Sequence, residues 1–241
     1  MLNRLIKRKK LILLGVAIGL IAVLPNVEAF AYNWTRTMRK GSSGNDVKEV
    51  QIRVAGWASD SPSQKNIKID GIYGEETKAA VIRFQKAYGL TPDGIVGPDT
   101  QAKLNELEDM DGSTKNFDWS EFYSHDGKGF SSGKVSSAQV KENIRRTMYK
   151  LEALRKKAGN RPVYVNSGFR SINYNNLVKG SSNSMHMYGV AADIQVSGKT
   201  PYEIQQIAKT CGFSGIIRYS SFVHVDSRQE YPYGSASWYW P

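Results

Sequence analysis

The chain has 241 residues, of which 40% are hydrophobic, a formal net charge of +11 and a single cysteine. This length is enough for one large domain or two small ones. One cysteine excludes an intrachain disulfide, so the fold must depend on its apolar core, with any further support coming from a bound metal. The positive charge comes without zinc-finger spacing or an arginine-rich arm, which favours a solvated lysine-rich surface and no nucleic-acid partner.

The first 31 residues have the pattern of a secretory signal segment. Five basic residues precede the 14-residue apolar run LILLGVAIGLIAVL, which is short for a membrane span of about 20 residues. Ala29 and Ala31 fit the small-x-small cleavage rule. Cleavage after Ala31 leaves a formal charge of +7, because the segment carries five basic residues and one acidic residue. An uncleaved anchor is the alternative. In both cases this segment is the only expected membrane contact, and the working part lies outside the cytoplasmic membrane.

Residues 37–107 contain an internal repeat. The stretches DGIYGEETKAAV, from Asp70, and DGIVGPDTQAKL, from Asp93, are identical at six of twelve positions. Each begins with an Asp-Gly turn signal and continues with apolar residues at helical spacing. Together with the helix predicted in GNDVKEVQIRVAGW, the repeat indicates a small three-helix bundle with no obvious catalytic group.

This bundle resembles the peptidoglycan-binding domain found on many cell-wall hydrolases. The resemblance rests on LTPDGIVGPDT, DGIYGEET and IRFQKAYGL, and it covers nearly the whole segment. It implies peptidoglycan as the partner, while the individual glycines and aspartates are expected only to shape turns. Residues 108–116 are polar and carry a turn signal, which predicts a linker with some flexibility.

The second module, residues 117–241, mixes helices and strands without a regular βαβ rhythm. This predicts an α+β fold with a central antiparallel sheet. VKENIRRTMYKLEALRKKAG is predicted as a long amphipathic helix, and TPYEIQQIAKTCG as a shorter helix capped by Gly212. RPVYVNS, GVAADIQV and one or two segments of SGIIRYSSFVHVDS are predicted as strands. The aromatic end YPYGSASWYWP could stack on sugars or close the core over one end of the sheet.

Three polar residues of this module suit a metal site. The segment SSNSMHMYGVAADIQV places His186 and Asp193 seven positions apart, and FVHVD adds His224. A hydrolytic zinc site typically uses three protein ligands and leaves one position for water. The H-x6-D pair alone is common by chance, and the later H-x-D makes it moderately informative. A turn into a core strand, with the polar residues there by chance, is the alternative at this point.

SGFRS, SMHMYGVAADI and FVHVD, in this order and spacing, resemble the zinc D-alanyl-D-alanine carboxypeptidase family over residues 117–228. The resemblance implies that Zn²⁺ is the cofactor and that His186, Asp193 and His224 are its ligands. Such a ligand set leaves the metal a net positive charge, which lowers the pKa of bound water to about 7. The implied function is an exported peptidase that cuts stem peptides of peptidoglycan, as a carboxypeptidase or an endopeptidase.

The resemblance also assigns roles around the metal, with one gap. Arg170 matches the family arginine that binds the substrate carboxylate or the developing oxyanion, and Ser184 matches a serine that contacts substrate or supports the ligands. Several branches carry a carboxylate three residues before the last histidine, where this chain has Ser221. Asp226, two residues after His224, is the nearest carboxylate. It could act as the catalytic base, or it could orient a ligand histidine or Arg170.

The missing carboxylate keeps open a second interpretation, a non-catalytic wall-binding protein with a degenerate peptidase domain. Glycan cleavage is disfavoured because the sequence has no convincing acidic pair. A serine nucleophile is disfavoured because no histidine is placed to activate Ser167 or Ser171. His125 is expected at the surface and not as a fourth ligand, and the protein is expected to be a monomer.

Overall fold

The computed structural model describes residues 31–233 and 237–241. The predicted signal segment, residues 1–31, therefore lies outside the described residues except for Ala31. Among the helices of the described part, none is both long enough and apolar enough to cross a membrane. The described chain forms a helical amino-terminal part and a mixed carboxy-terminal part, which confirms the predicted fold class.

The amino-terminal part is a bundle of three helices. These are α1 (Asn45–Val54), α2 (Glu75–Ala87) and α3 (Pro98–Asn105). Pro98 is tolerated at the start of α3 because the first amides of a helix have no intrahelical acceptor. The apolar faces of the helices meet in one buried core around Phe84.

The internal repeat has a structural cause, a glutamine that closes each Asp-Gly turn. Gln51 of α1 donates through Nε2 to Asp70 at 3.0 Å and accepts through Oε1 from the Gly71 amide at 2.8 Å. Gln85 of α2 makes the same two bonds to the second turn, at 3.0 and 2.9 Å. Both glutamines are buried, where an unpaired amide would be costly. The repeated Asp-Gly residues therefore shape turns, as expected.

The carboxy-terminal part packs its longest helix against one face of a four-stranded antiparallel sheet. The strand order is β1-β2-β4-β3. In chain order its elements are α4 (Ser137–Lys157), β1 (Val163–Ser167), α5 (Ile172–Leu177), β2 (Ala191–Val196), α6 (Pro201–Ala208), β3 (Gly215–Arg218) and β4 (Val223–Asp226).

Gly212 is not the cap of α6, which ends at Ala208. The amides of Thr210 and Cys211 donate to carbonyls three residues earlier, those of Ile207 and Ala208. The chain therefore forms tight turns here and is no longer α-helical. Gly212 follows in the left-handed region, with φ of +71°.

Side-chain alternation gives the sheet one apolar face and one polar face. Asp193 of β2 lies directly opposite His224 of β4, and Asp226 follows two residues later on the same side of β4. The neighbouring residues of each strand point to the opposite face, which packs against α4. The buried apolar residues of that face are Ala192, Ile194, Ile216, Val223 and Val225.

The long helix α4 also packs against the amino-terminal bundle. Tyr149 and Ala153 of α4 belong to the buried core of the bundle. Gly56, just after α1, lies so close to α4 that an added Cβ would be 2.4 Å from Ala153 Cβ. Helix α4 therefore belongs to both cores and joins the two parts directly.

An ion-pair network covers the same interface. Arg145 of α4 donates from both Nη atoms to the carboxylate of Glu49 in α1, at 3.0 Å each. Arg53, whose side chain is fully buried, also donates to Glu49 and donates to Glu108 at 2.8 Å. Because Glu108 belongs to residues 108–116, this pair bonds the start of the predicted linker to α1.

Candidate metal centre

His186, Asp193 and His224 lie together on the polar face of the sheet. Asp193 and His224 face each other across β2 and β4, and His186 comes from the short 3-10 turn Met185–Tyr188 that precedes β2. His186 Nε2 lies 3.1 Å from His224 Nδ1 and 3.2 Å from Asp193 Oδ1, and the last two atoms are 2.9 Å apart. The fold thus brings the three predicted ligands into one buried cluster.

These separations fit a four-coordinate zinc ion. Ligand distances of about 2.0–2.1 Å in a tetrahedral site place neighbouring donor atoms roughly 3.3 Å apart. The three separations in the cluster lie close to that value. All three residues also line one cavity of about 490 Å³, which gives a substrate access to them.

The turn that carries His186 depends on Gly189. Its φ of +74° lies in the left-handed region that favours glycine. A Cβ at this position would be 2.9 Å from the carbonyl oxygen of Val140 in α4. Because position 189 has no side chain, the turn that carries His186 can lie directly against α4.

The second nitrogen of each histidine is also held. His186 Nδ1 lies 2.6 Å from the carbonyl oxygen of Gly168, and His224 Nε2 lies 3.0 Å from Asp226 Oδ2. Because these oxygens only accept, both nitrogens carry hydrogen in the neutral rings. His186 Nε2 and His224 Nδ1 are then the nitrogens whose lone pairs can bind a metal. The carbonyl of Gly168 and the carboxylate of Asp226 fix the orientation of the two rings.

The charges of the cluster agree with this arrangement. Burial alone would raise the pKa of Asp193, but hydrogen bonds from His186 and His224 hold it well below its usual range. Burial lowers the pKa of His186. Burial would also lower the pKa of His224, yet hydrogen bonds to Asp193 and Asp226 raise it to about 9. A metal at this site must therefore displace a proton from His224 near neutral pH.

Arg170 lies beside the cluster and is bonded to Asp193. Its Nη2 donates to Asp193 Oδ2 at 2.5 Å, and its Nε donates to Ser167 Oγ at 2.9 Å. The side chain lines the cavity and remains 17% exposed. Arg170 therefore orients the carboxylate of Asp193 and also offers positive charge to the cavity.

Two other residues from the sequence analysis are placed clearly. Ser184 lines the same cavity, at the residue before the turn that carries His186. His125 is exposed and does not belong to the ligand cluster. Its Nδ1 lies 3.2 Å from the hydroxyl of Tyr174.

Asp226 lies behind His224, away from the cavity. Its side chain is fully buried and is not among the cavity-lining groups. Its oxygens accept from His224 and from Arg228, whose Nη2 is 2.6 Å away. Of the roles left open by the sequence, the geometry favours orienting a ligand histidine over acting as the base. Within the part of the chain that the structure describes, Asp193 is the only carboxylate that lines this cavity, and Ser221 does not line it.

Three groups of the site were missed in the sequence. Ser167 was considered only as a nucleophile, a role that was disfavoured, whereas its hydroxyl accepts a hydrogen bond from Arg170. The carbonyl of Gly168 has no side-chain signal at all. Arg228 follows Asp226 at a spacing of two, a pattern that could have suggested a pair, although β4 ends between them.

Two family models match the chain. One is Peptidase M15, over residues 115–226, and the other is described as a putative peptidoglycan binding domain, over residues 43–104. The zinc D-Ala-D-Ala carboxypeptidase of Streptomyces albus G is 44% identical over 186 residues, which are 77% of this chain and 71% of that enzyme. The chain belongs to the peptidase M15 family. This M15 protein is accordingly a zinc metallopeptidase with a peptidoglycan-binding domain.

Other relatives of this M15 peptidase share shorter stretches. The spore cortex-lytic enzyme of Bacillus cereus is 36% identical over 95 residues, which are 39% of this chain and 33% of that enzyme. A solved peptidoglycan-binding protein from Clostridioides difficile, in complex with glutamine hydroxamate, is 44% identical. That match covers 30% of this chain and 42% of the solved chain, with a TM-score of 0.26.

Proposed function

We propose that this M15 peptidase hydrolyses peptide bonds in the stem peptides of peptidoglycan, either at a terminal D-alanine or at an internal bond. The observation that carries the proposal is the convergence of His186, Asp193 and His224 on one cavity, in a chain 44% identical to a D-Ala-D-Ala carboxypeptidase. The amino-terminal domain holds the enzyme on its insoluble polymer. This raises the local concentration of substrate without new contacts at the active site.

The assigned zinc ligands are His186 Nε2, Asp193 Oδ1 and His224 Nδ1. When bound there, zinc polarises a carbonyl group and acidifies a water molecule. The protein prepares the site by fixing both imidazoles, through the carbonyl of Gly168 and the carboxylate of Asp226. In this proposal Asp226 supports a ligand and does not itself exchange protons with substrate.

Arg170 is assigned to the negative charge of the substrate. Its guanidinium stays cationic at any working pH, and its planar shape suits a carboxylate or a tetrahedral oxyanion. Its bonds to Asp193 and Ser167 already restrict the side chain, so less conformational entropy is lost when substrate binds. Ser184 offers a hydroxyl to the same cavity.

The proposed setting is the cell wall or the space outside the cytoplasmic membrane, with the protein acting as a monomer. Residues 1–31 are assigned to export. Residues 37–107 are assigned to peptidoglycan binding and residues 117–241 to catalysis, with residues 108–116 between them. The two family matches, over residues 43–104 and 115–226, support the separation of the binding part from the catalytic part.

Incubation of the purified protein with peptidoglycan tests the proposal. We expect free D-alanine or new amino termini, lost with a chelator and restored by zinc, and mass spectrometry of the muropeptides then identifies the bond. New reducing ends would instead indicate glycan cleavage. A zinc-loaded protein that binds the polymer but releases no product would favour the second candidate, a non-catalytic wall-binding protein. The Ser221 position, where related branches carry a carboxylate, is the observation behind that candidate.

A further inference from the structure

A fully buried carboxylate stands behind the ligand His224. Asp226 has no exposed surface, and a buried carboxylate is costly unless it is paired and hydrogen-bonded. Arg228 supplies that pairing. Its backbone amide lies 2.9 Å from Asp226 Oδ1, its Nε 3.0 Å from the same oxygen, and its Nη2 2.6 Å from Oδ2. The planar guanidinium thus fixes the plane of the carboxylate that accepts the hydrogen bond from His224 Nε2.

The neighbouring strand leaves room for this carboxylate. Gly215 of β3 is paired with Asp226 of β4. A Cβ at Gly215 would lie 2.2 Å from Asp226 Oδ2, a distance that forbids any side chain unless the carboxylate moves. Asp226 is therefore confined between Gly215, Arg228 and His224, and its orientation is determined from three sides.

The carboxy-terminal segment supports Arg228 in turn. The ring centroid of Tyr239 lies 5.1 Å from the guanidinium carbon, within the range of a cation–π contact. The backbone of Tyr239 pairs alongside β3. Its amide donates to the carbonyl of Ser214, and its carbonyl accepts from the amide of Ile216, at 2.8 Å each. Tyr239 is thus held by the sheet while its ring covers Arg228.

We propose that Arg228 is a positioning residue for the zinc site, acting through Asp226 on His224, and that Tyr239 stabilises Arg228. Asp226 keeps the hydrogen of His224 on Nε2, so the lone pair of Nδ1 points toward the other two ligands. Without Arg228 the buried carboxylate loses its partner and its fixed plane, and the ring of His224 loses its orientation. The inference rests on the ligand set of the proposed function, but it concerns metal binding and not hydrolysis.

The direction in which zinc affinity changes when Arg228 is removed distinguishes a positioning role from a purely electrostatic one. Removing a cation near a metal site should strengthen binding of another cation, because a repulsion disappears. A positioning role predicts the opposite, weaker zinc binding. Lys179 provides the matched control, since it lines the same cavity but is not bonded to Asp226. Its removal should leave zinc affinity unchanged or slightly higher.

Zinc dissociation constants, measured by competition with a fluorescent chelator, test the proposal. Losing a direct partner of a metal ligand typically costs about 10–100-fold in affinity, and because Arg228 acts through such a partner, Asp226, we expect a loss near the lower end, about tenfold, for Arg228→Met. Arg228→Lys should recover part of it, because the ammonium restores the charge but not the two-pronged geometry. Lys179→Met should show no loss. The visible spectrum of the cobalt-substituted protein should change in Arg228→Met and stay unchanged in Lys179→Met.

Variants of Tyr239 give a second, independent measurement. Tyr239→Ala should weaken zinc binding in the same direction as Arg228→Met but less, whereas Tyr239→Phe keeps the ring and should bind like the wild type. If Arg228→Met does not fold by circular dichroism, Arg228→Lys and Tyr239→Ala decide the question.

A wild-type zinc affinity in folded Arg228→Met, or an equal loss in Lys179→Met, would overturn the proposal. If Arg228→Met fails to fold, wild-type affinity in both Arg228→Lys and Tyr239→Ala would overturn it. Wild-type protein that binds zinc but releases no peptidoglycan product would overturn the proposed function alone.

Discussion

Replacing Arg53 with methionine tests how much the buried ion-pair network contributes to the stability of the protein. The Arg53 guanidinium is fully buried among three aromatic rings, with centroids 5.2 to 5.4 Å from its central carbon. Its carboxylate partners are Glu49 in α1 and Glu108 in the segment that leads to the catalytic part. Methionine fills a similar volume but leaves both carboxylates without this cation.

The structure sets the expected size of the effect. Removing one partner of a buried ion pair typically costs about 3–5 kcal/mol, because the remaining charge is uncompensated. Glu49 keeps its two bonds to Arg145, and Glu108 keeps the backbone amide of Tyr32 at 3.2 Å. We therefore expect a loss near the lower bound, about 3 kcal/mol in the free energy of unfolding.

Urea unfolding of the zinc-free protein, followed by circular dichroism and tryptophan fluorescence, measures this loss without a contribution from bound metal. Arg36→Met is the matched control, since its guanidinium is half exposed and 4.0 Å from Asp46, so that water screens the pair and its loss should cost at most about 1 kcal/mol. Both probes should report one transition if the parts unfold together. A loss in Arg53→Met no larger than in Arg36→Met would refute the reasoning.

Three further outcomes are expected. His186→Ala should lose bound zinc, and metal analysis showing full occupancy would contradict the ligand assignment. Because the pKa of His224 is raised from 6.5 to about 9 in the metal-free fold, its proton stabilises that fold below pH 6.5, and this contribution is lost as pH rises through 9. Apparent zinc affinity should therefore rise with pH across this window, by about tenfold per unit, with one proton released per zinc in calorimetry. A pH-independent affinity would exclude this protonation. Gly215→Ala should destabilise the fold by about 1–3 kcal/mol in thermal unfolding, because its Cβ would collide with Asp226. Gly74→Ala, with nothing within 4 Å, is the control, and equal effects of the two substitutions would argue against the collision.

The sequence could single out the three expected metal ligands because their side chains are chemically distinctive, and the fold brings them into one cluster. The family pattern was enough to group His186, Asp193 and His224. The pairing of β2 with β4 then places Asp193 opposite His224. The partners that orient them were harder to find. The carbonyl of Gly168 is common to every residue type, and the contact of Arg228 with Asp226 depends on where β4 ends.

The contact between the two parts was not predicted for a different reason. Helical spacing shows which residues of α4 share a face, but not which neighbour covers that face. Tyr149 and Ala153 lie beside the stripe that packs on the sheet, and they complete the core of the bundle instead. The segment 108–116 looked polar enough to be a spacer, while Glu108 in fact pairs with a buried arginine.

The shared helix α4 has a consequence for how the enzyme meets a solid polymer. Because its side chains enter both cores, the peptidoglycan-binding part and the peptidase part cannot rotate independently, as they would if a flexible glycine- and serine-rich linker joined them. When the amino-terminal part is bound to peptidoglycan, the metal cluster is therefore held at a fixed distance and orientation from the bound polymer. To reach a distant stem peptide the protein would have to dissociate and bind again. The spacing between binding sites and stem peptides in the wall would therefore limit which peptides it cuts.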